Sequence, residues 1–491
     1  MQSPLRQIVN RPANRCLIIG ALGALTLCPA ARALAVQDGP DEAQEAFDEA
    51  VKLYDKGKYP LARRAFAKVA ERYPDSAVAG AAERRTRPSG FLGATDILRT
   101  GDSSNRVDVV IMGEGYTLDK QRSFDKLAQD VPKFMLRQNT LAEYANYFNF
   151  VRANIVSAED GVDGFGREYD TALGGKTLST YAGHVGIEAG LVREMLSEIP
   201  GHDGQAIVFV RLGVLGTGGG GIATIGGQSV KTVVHEFGHS FFGLGDEYVT
   251  ETHKRGSVRN AVNVSNTDDE QAVAWAHWIE AGVPGIGVYE GAAGQARDAW
   301  KPTPGGCVMD TGEFFCLPCR EEAVLDIYRL VDPIETCEPE AHARSASQSL
   351  VLGEENLTFR VQVMEPASHR LEVKWYLLPE AQTPQGPVGR SKDGRYGGRR
   401  GTRADRGRLA ELEEKPLSEG AKPKRGGWHT LILKSRDLGP GRYRLICRAK
   451  DTTKVRGDRW PWVLKDEQGV LESERAWWVE VPALPGALPG N

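Results

Sequence analysis

Two histidines four residues apart, His235 and His239, stand just ahead of a Gly243-Leu244-Gly245 step, and this pairing restricts the local fold more than any other feature of the chain. On a helix, positions i and i+4 share one face, so both imidazoles can reach a single ion. Val233 and Val234 precede them, and Phe237, Phe241 and Phe242 supply an apolar face for burial. The helix must stop at the glycines, which let the chain turn back so that a third ligand can reach the same ion. Glu236 lies beside the pair, placed to take a proton from a metal-activated water rather than to bind the metal. Two core histidines on an amphipathic helix are the plainer reading. The adjacent glutamate, the phenylalanines and the glycine stop together favour one Zn2+ per chain.

The surrounding pattern places that helix in an α/β domain. Val107 to Met112, Phe148 to Val156 and Ala206 to Leu212 read as strands, and 119–138 and 184–199 as helices. A glycine-rich stretch follows, then a helix from about Gln228 to Phe242. Upstream, residues 41–87 carry Leu53, Tyr54, Tyr59, Phe66 and Val69 at helical spacing around a Lys56-Gly57-Lys58 turn. This resembles a single tetratricopeptide-type helical hairpin, which cannot bury its apolar face alone and should dock on a neighbour or a protein partner. Arg84 to Gly90 reads as a linker.

After residue 345 the period changes to two. Leu357 to Val363, Leu371 to Leu377, Trp428 to Leu433, Tyr443 to Ala449 and Trp477 to Val481 alternate as strands. Trp375 and a tyrosine, Tyr443, ahead of Cys447 suggest an all-β immunoglobulin-like or fibronectin-like sandwich over 345–482. The stretch 379–427, rich in Gly, Pro, Arg and Lys, reads as a disordered, solvated insertion.

The N-terminus bounds where the chain works. Arg6, Arg11 and Arg15 precede a short apolar run from Leu17 to Leu27, and Ala33-Leu34-Ala35 offers small residues for cleavage. Residues 1–35 therefore read as a Sec-type signal peptide, with a secreted or periplasmic mature chain from about Val36. The apolar run is well short of the ~20 residues that span a bilayer, and Leu27 before Cys28 is large for a lipobox. Losing residues 1–35 removes four arginines and no acid, which moves the formal charge from −4 to −8. An acidic chain makes nucleic acid an unsuitable partner. Five cysteines would remain, Cys307, Cys316, Cys319, Cys337 and Cys447. In an oxidising compartment, Cys316-Leu317-Pro318-Cys319 points to a structural disulfide that involves Cys307, Cys316 or Cys319, because no second Cys-x-x-Cys supports a zinc ribbon.

The run His235-Glu236-Phe237-Gly238-His239-Ser240-Phe241-Phe242-Gly243-Leu244-Gly245-Asp246-Glu247-Tyr248 resembles the HExGHxxxGLxDEY signature of the IgA-peptidase family of metzincin-like metallopeptidases. Arg106 to Tyr116, Asn154 to Glu159, Asp170 to Gly174, Gly218 to Gly221, Asn263-Val264, Cys307 to Met309 and Phe315 to Cys319 are similar to further stretches of that family, so the likeness spans about 100–335. It implies a metzincin-like zinc-peptidase domain over 100–340, with Met309 in a turn beneath the zinc. The common third-ligand position, ten residues after the first histidine, is here Gly245, which has no ligand atom. Asp246 is the first choice for that ligand and Glu247 the second; the other would orient a histidine.

Gly216-x-Gly218-x-x-Gly221 imitates a dinucleotide fingerprint, but Ile222 to Gly227 follows where a helix should open. The run reads instead as an edge beside the cleft, able to pair with an extended substrate, or as a surface loop. His184, His202, His253 and His277 lack ligand spacing. The expectation is an exported zinc metalloendopeptidase acting on a protein or peptide substrate, with Glu236 as general base. The alternative is a non-catalytic adhesion or scaffolding protein with a structural zinc, against which the intact Glu236 argues.

Overall fold

The computed structural model describes residues 40–86, 90–164, 166–178, 183–211, 215–227, 232–250, 257–341, 349–382, 417 and 423–483. The expected signal peptide, most of the expected 379–427 insertion and His253 lie outside the described residues. No helix among the described residues is long and apolar enough to cross a membrane.

The chain opens with helices α1 (Pro40–Asp55), α2 (Tyr59–Arg72) and the short α3 (Ala79–Arg84). Strand β1 (Gly90–Leu98) follows at once, then β2 (Val107–Glu114), α4 (Gln121–Met135), α5 (Asn139–Glu143) and β3 (Phe148–Val156). Next come β4 (Lys176–Thr177), β5 (Val185–Gly186), α6 (Ala189–Ser197) and β6 (Gln205–Val210). After β7 (Thr217–Gly219) and β8 (Ile222–Gly226) the chain forms the histidine helix α7 (Val233–Ser240). Helix α8 (Ala276–Glu280), the hairpin β9 (Tyr289–Ala292) and β10 (Gln295–Lys301), and α9 (Leu317–Leu330) complete this part.

A six-stranded sheet in the order β1-β3-β2-β6-β8-β7 forms its centre. β3, β2, β6 and β8 run parallel, while β1 and β7 close the edges antiparallel. Every residue of β2 and β3 is buried, as expected for parallel strands covered on both faces. Val109, Ile111, Phe150 and Phe209 face one core with α4, α7 and α9, whereas Val110, Met112, Val151 and Val208 face the other with α6. Strand alternation therefore divides one apolar run between two cores. β1 was not anticipated, because its sequence follows directly on a linker-like stretch. The histidine helix is shorter than expected, and residues 228–231 before it lie outside the described residues.

Helices α1 and α2 form the expected hairpin, and it docks within the chain. Tyr54, Phe66 and Val69 pack with Leu92 of β1 and Val156 of β3. The Tyr54 hydroxyl donates to Gln121 Oε1 at 3.0 Å, and Tyr59 donates to Asp125, which also pairs with Arg152.

The C-terminal part holds two facing sheets. One is β11 (Ile334–Glu338), β13 (Leu357–Val363) and β15 (His429–Leu433). The other runs in the order β12 (Leu350–Val351), β17 (Glu472–Val481), β16 (Gly441–Lys450) and β14 (Glu372–Pro379). Phe359, Val361, Trp375, Leu445, Cys447 and Trp477 fill the space between them, with the Trp375 and Trp477 rings stacked at 5.8 Å.

This sandwich is fixed to the α/β part through Asp451. Tyr144 and Tyr328 donate to its Oδ2 at 2.9 and 2.7 Å, and His369 Nε2 lies 2.7 Å from its Oδ1. His369 Nδ1 meets Glu143 Oε1 at 2.8 Å. Burial alone would lower the His369 pKa, but its hydrogen bonds to Asp451 and Glu143 outweigh that and raise it to about 9. An unfolded histidine titrates near ~6.5, so the stability from this cation is fully present below that pH and is lost as pH rises through about 9. His369→Gln should therefore lower the melting temperature clearly at pH ~6 and much less at pH ~10. Equal losses at both, read by calorimetry, would rule out an imidazolium at this joint.

Candidate metal centre and active site

Helix α7 presents its ligands because its other face is committed to the core. Val233, Val234 and Phe237 are buried, and the rings of Phe237, Phe241 and Phe242 pack on one another and on Phe315. The opposite face carries His235, Glu236 and His239.

Backbone carbonyls fix the state of both imidazoles. His235 Nδ1 lies 2.9 Å from Val308 O, and His239 Nδ1 lies 2.7 Å from Leu244 O. A carbonyl can only accept, so each Nδ1 carries a proton and Nε2 is the nitrogen left to bind a metal. The two Nε2 atoms are 3.1 Å apart. Asp246 Oδ1 completes a triangle, 3.2 Å from His235 Nε2 and 3.0 Å from His239 Nε2. Three lone-pair atoms at these separations match the edges, about 3.3 Å, of a tetrahedron with ~2.0–2.1 Å zinc bonds. Asp246 Oδ1 is buried, with the two histidine Nε2 atoms as its polar neighbours. The residues therefore fit a divalent cation.

Protons compete for the same atoms. Burial would depress the His235 pKa, but the bond to Asp246 and the Val308 carbonyl raise it to about 9. Burial would raise Asp246, yet the two histidines hold its carboxyl far below the usual carboxylate range. Metal loading must displace such protons and is favoured by higher pH.

The structure separates the two carboxylates that the sequence leaves as alternatives. Asp246 turns to the histidines. Glu247, next along the chain, is fully buried and turns to Asn263 Nδ2 at 2.9 Å and to the sulfur of Cys319 at 3.1 Å. Glu247 does not orient a histidine; the Leu244 and Val308 carbonyls do that. At Gly245, an added Cβ would lie 2.7 Å from Val264 Cγ2, so the tenth position is packed against that side chain. Gly243, at φ +63°, makes the turn that brings Asp246 back.

Met309 lies against the histidine helix at Gly238, fully buried, in a turn and next to Val308, whose carbonyl holds His235. A Cβ on Gly238 would stand 2.6 Å from its sulfur, which explains a glycine in mid-helix between the two histidines. Glu247 N donates to Met309 O at 2.7 Å, tying the Asp246 segment to the same turn.

Glu236 is nearly buried, and burial raises its pKa against the lowering influence of His235 and His239. The glycine-rich run passes directly over it. A Cβ at Gly216 would lie 2.4 Å from Thr224 O and 2.9 Å from Glu236 Oε1, and one at Gly218 would lie 2.7 Å from His239 Cβ. These glycines allow edge strand β7 to lie on α7; no helix opens on them.

Other stretches of the family resemblance converge nearby. Glu114 accepts from Leu173 N at 2.8 Å and Gly175 N at 2.6 Å, and Ser157 Oγ accepts from Gly115 N and Ala172 N. They set the 170–175 loop against the end of β2. His277 pairs with Glu321 at 2.6 Å, and His202 Nδ1 accepts from Gly204 N, so neither joins the centre. Sequence reasoning assigned no role to the Leu244 and Val308 carbonyls, which no side-chain pattern encodes. It also missed the setting of Glu247. The expected disulfide is not formed: Cys307, Cys316 and Cys319 are free thiols, with the Cys307 and Cys319 sulfurs 3.8 Å apart.

The sequence profile of the IgA peptidase M64 family matches residues 95–286, which include α7, Asp246 and Glu247. No curated protein matches the chain.

Mid-helix Gly→Ala normally stabilises by up to ~1 kcal/mol. Here the Met309 contact should reverse the sign, with Gly238→Ala costing about 1–3 kcal/mol in denaturant unfolding as an overpacked core does. A stabilised variant would show that the sulfur does not sit against Gly238.

Proposed function

We propose that this chain, whose residues 95–286 match the profile of the IgA peptidase M64 family, is an exported zinc metalloendopeptidase acting on protein or peptide substrates. The observation that carries this reading is the triangle of His235, His239 and Asp246 lone pairs, at 3.0–3.2 Å, with Glu236 on the next helical position. His235, His239 and Asp246 would hold the ion. Zinc bound there would supply Lewis-acid polarisation of the scissile carbonyl and lower the pKa of water.

The remaining work falls to the chain. Glu236 takes the proton of the attacking water and passes it to the leaving amine. Its burial favours this role, because a carboxylate with a raised pKa accepts a proton more readily and still releases it. The two imidazoles keep their orientation through the Leu244 and Val308 carbonyls. An extended substrate can add to the sheet beside β7, whose glycines present backbone without side chains.

The finer architecture follows the same reading. A turn with Met309 under the histidine helix supports a metzincin-like domain. The two-helix unit at 40–72 supports a tetratricopeptide-like hairpin. The Tyr443 hydroxyl, which donates to Gly439 O at 2.9 Å four residues upstream, supports an immunoglobulin-like sandwich. Export rests on residues 1–35, and N-terminal sequencing of the extracellular protein should begin at Val36; recovery of Met1 would refute it.

Glu236→Gln keeps shape and removes the base. Zinc content and melting temperature should hardly change, while hydrolysis of casein or a fluorogenic peptide falls by ~10²–10⁴. Asp246→Ala and His239→Ala should lose both the zinc of this centre and the activity, as a chelator does to the parent protein. Near-normal turnover by Glu236→Gln would sink the base assignment.

A further inference from the structure

We propose that Cys307, Cys316, Cys319 and Glu247 form a second zinc site, structural and closed, directly behind the histidine centre. The four side chains bring one ligand atom each to within 4.8 Å of one another. The Cys307 and Cys319 sulfurs are 3.8 Å apart, which is the edge, about 3.8 Å, of a tetrahedron with ~2.3 Å zinc–sulfur bonds. Glu247 Oε1 lies 3.1 Å from the Cys319 sulfur and 3.7 Å from that of Cys316, around the ~3.5 Å expected of a mixed sulfur–oxygen edge. Three soft sulfurs and one carboxylate suit zinc rather than calcium or magnesium.

A second observation points the same way. Glu247 is fully buried, and its Oε2 has no hydrogen-bond partner. Asn263 Nδ2, which also donates to Gly245 O, reaches Oε1 and not Oε2. A buried carboxylate left charged without a counter-charge is costly, and proteins resolve that cost by protonation, pairing or coordination. A disulfide would consume two of the three sulfurs and do nothing for Glu247. A cation at the common point serves all four groups.

The local fold prepares the sulfurs. Cys316 is the N-cap of α9 and Cys319 lies in its first turn, so one helix end sets the position of both sulfurs. The Cys316 amide lies 3.4 Å from the Cys307 sulfur. As zinc binds, the thiol protons leave to solvent and the ion offsets two of the negative charges. The Cys316 amide, the Asn263 amide and the α9 N-terminus face the remainder.

Such a site would join three segments that the histidine centre needs. Glu247 follows Asp246, and Cys307 precedes Val308, whose carbonyl holds His235. Cys316 and Cys319 anchor both to α9. The site is thus a positioning device, and it stands apart from the peptidase reading: an inactive protein could still carry it.

The test uses the mature chain purified in the presence of zinc. Elemental analysis should find two zinc ions per chain, and His235→Ala should keep one. Cobalt loaded into His235→Ala should show sulfur-to-cobalt charge-transfer absorption, lost in Cys319→Ser and altered in Glu247→Gln. Should Cys319→Ser fail to fold, a mercurial titrated into the parent protein should release one zinc as three thiols react, read with a colorimetric chelator. One zinc per chain with no thiolate absorption would overturn the proposal. So would a denatured mass two hydrogens light, with the missing pair mapped among Cys307, Cys316 and Cys319.

Discussion

Two backbone carbonyls, those of Leu244 and Val308, decide what helix α7 can do. By accepting from Nδ1 of His239 and His235 they leave Nε2 of each ring as the nitrogen turned to Asp246 Oδ1. Without them either ring could turn over, and the same three residues would form a hydrogen-bonded cluster. The carbonyls come from distant parts of the chain, so the centre depends on the turn after α7 and the Met309 turn being held in register. Glu247 N to Met309 O performs that joining.

Close backbone approach is the second constraint, and glycine is its instrument. Gly216 and Gly218 let β7 lie against Glu236 and His239, and Gly238 leaves room for the Met309 sulfur. The helix that carries the ligands is therefore gripped on one side by a sheet edge and on another by a sulfur. A rigid frame of this kind limits how far ligand atoms must reorganise when a metal binds.

What could be read in the sequence was local. His235 and His239 are one helical turn apart, so their shared face follows from spacing alone. The strands β2, β3 and β6 carry apolar residues on both faces, as parallel burial favours, although Asp108, Asn149, Arg152 and Asn154 interrupt the first two. Asp246 and Glu247 were legible only as a pair, because which of two adjacent carboxylates faces the histidines depends on what lies behind the other. That is Cys316 and Cys319, 69 and 72 residues further along. A Cys-x-x-Cys without a second copy gives no hint that a third cysteine and a buried glutamate come to meet it. β1 escaped notice for a different reason: it is an edge strand whose pairing with β3 bulges twice, so its alternation is broken.

Helix α9 explains why a C-terminal sandwich accompanies this centre. Its N-terminus carries Cys316 and Cys319 next to Glu247, while Glu321, within the helix, accepts from Trp278 Nε1 and from the Leu464 and Lys465 amides. Further along, Tyr328 donates to Asp451, the residue that also binds His369. Trp462, Val463, Val470 and Leu471 of the sandwich side complete the same apolar core that holds Phe237 and Met309. The helix is thus a strut whose far end is set by the sandwich and whose near end sets the Asp246–Glu247 segment. Removing the sandwich would expose that core and free α9, so the histidine centre would lose its backing.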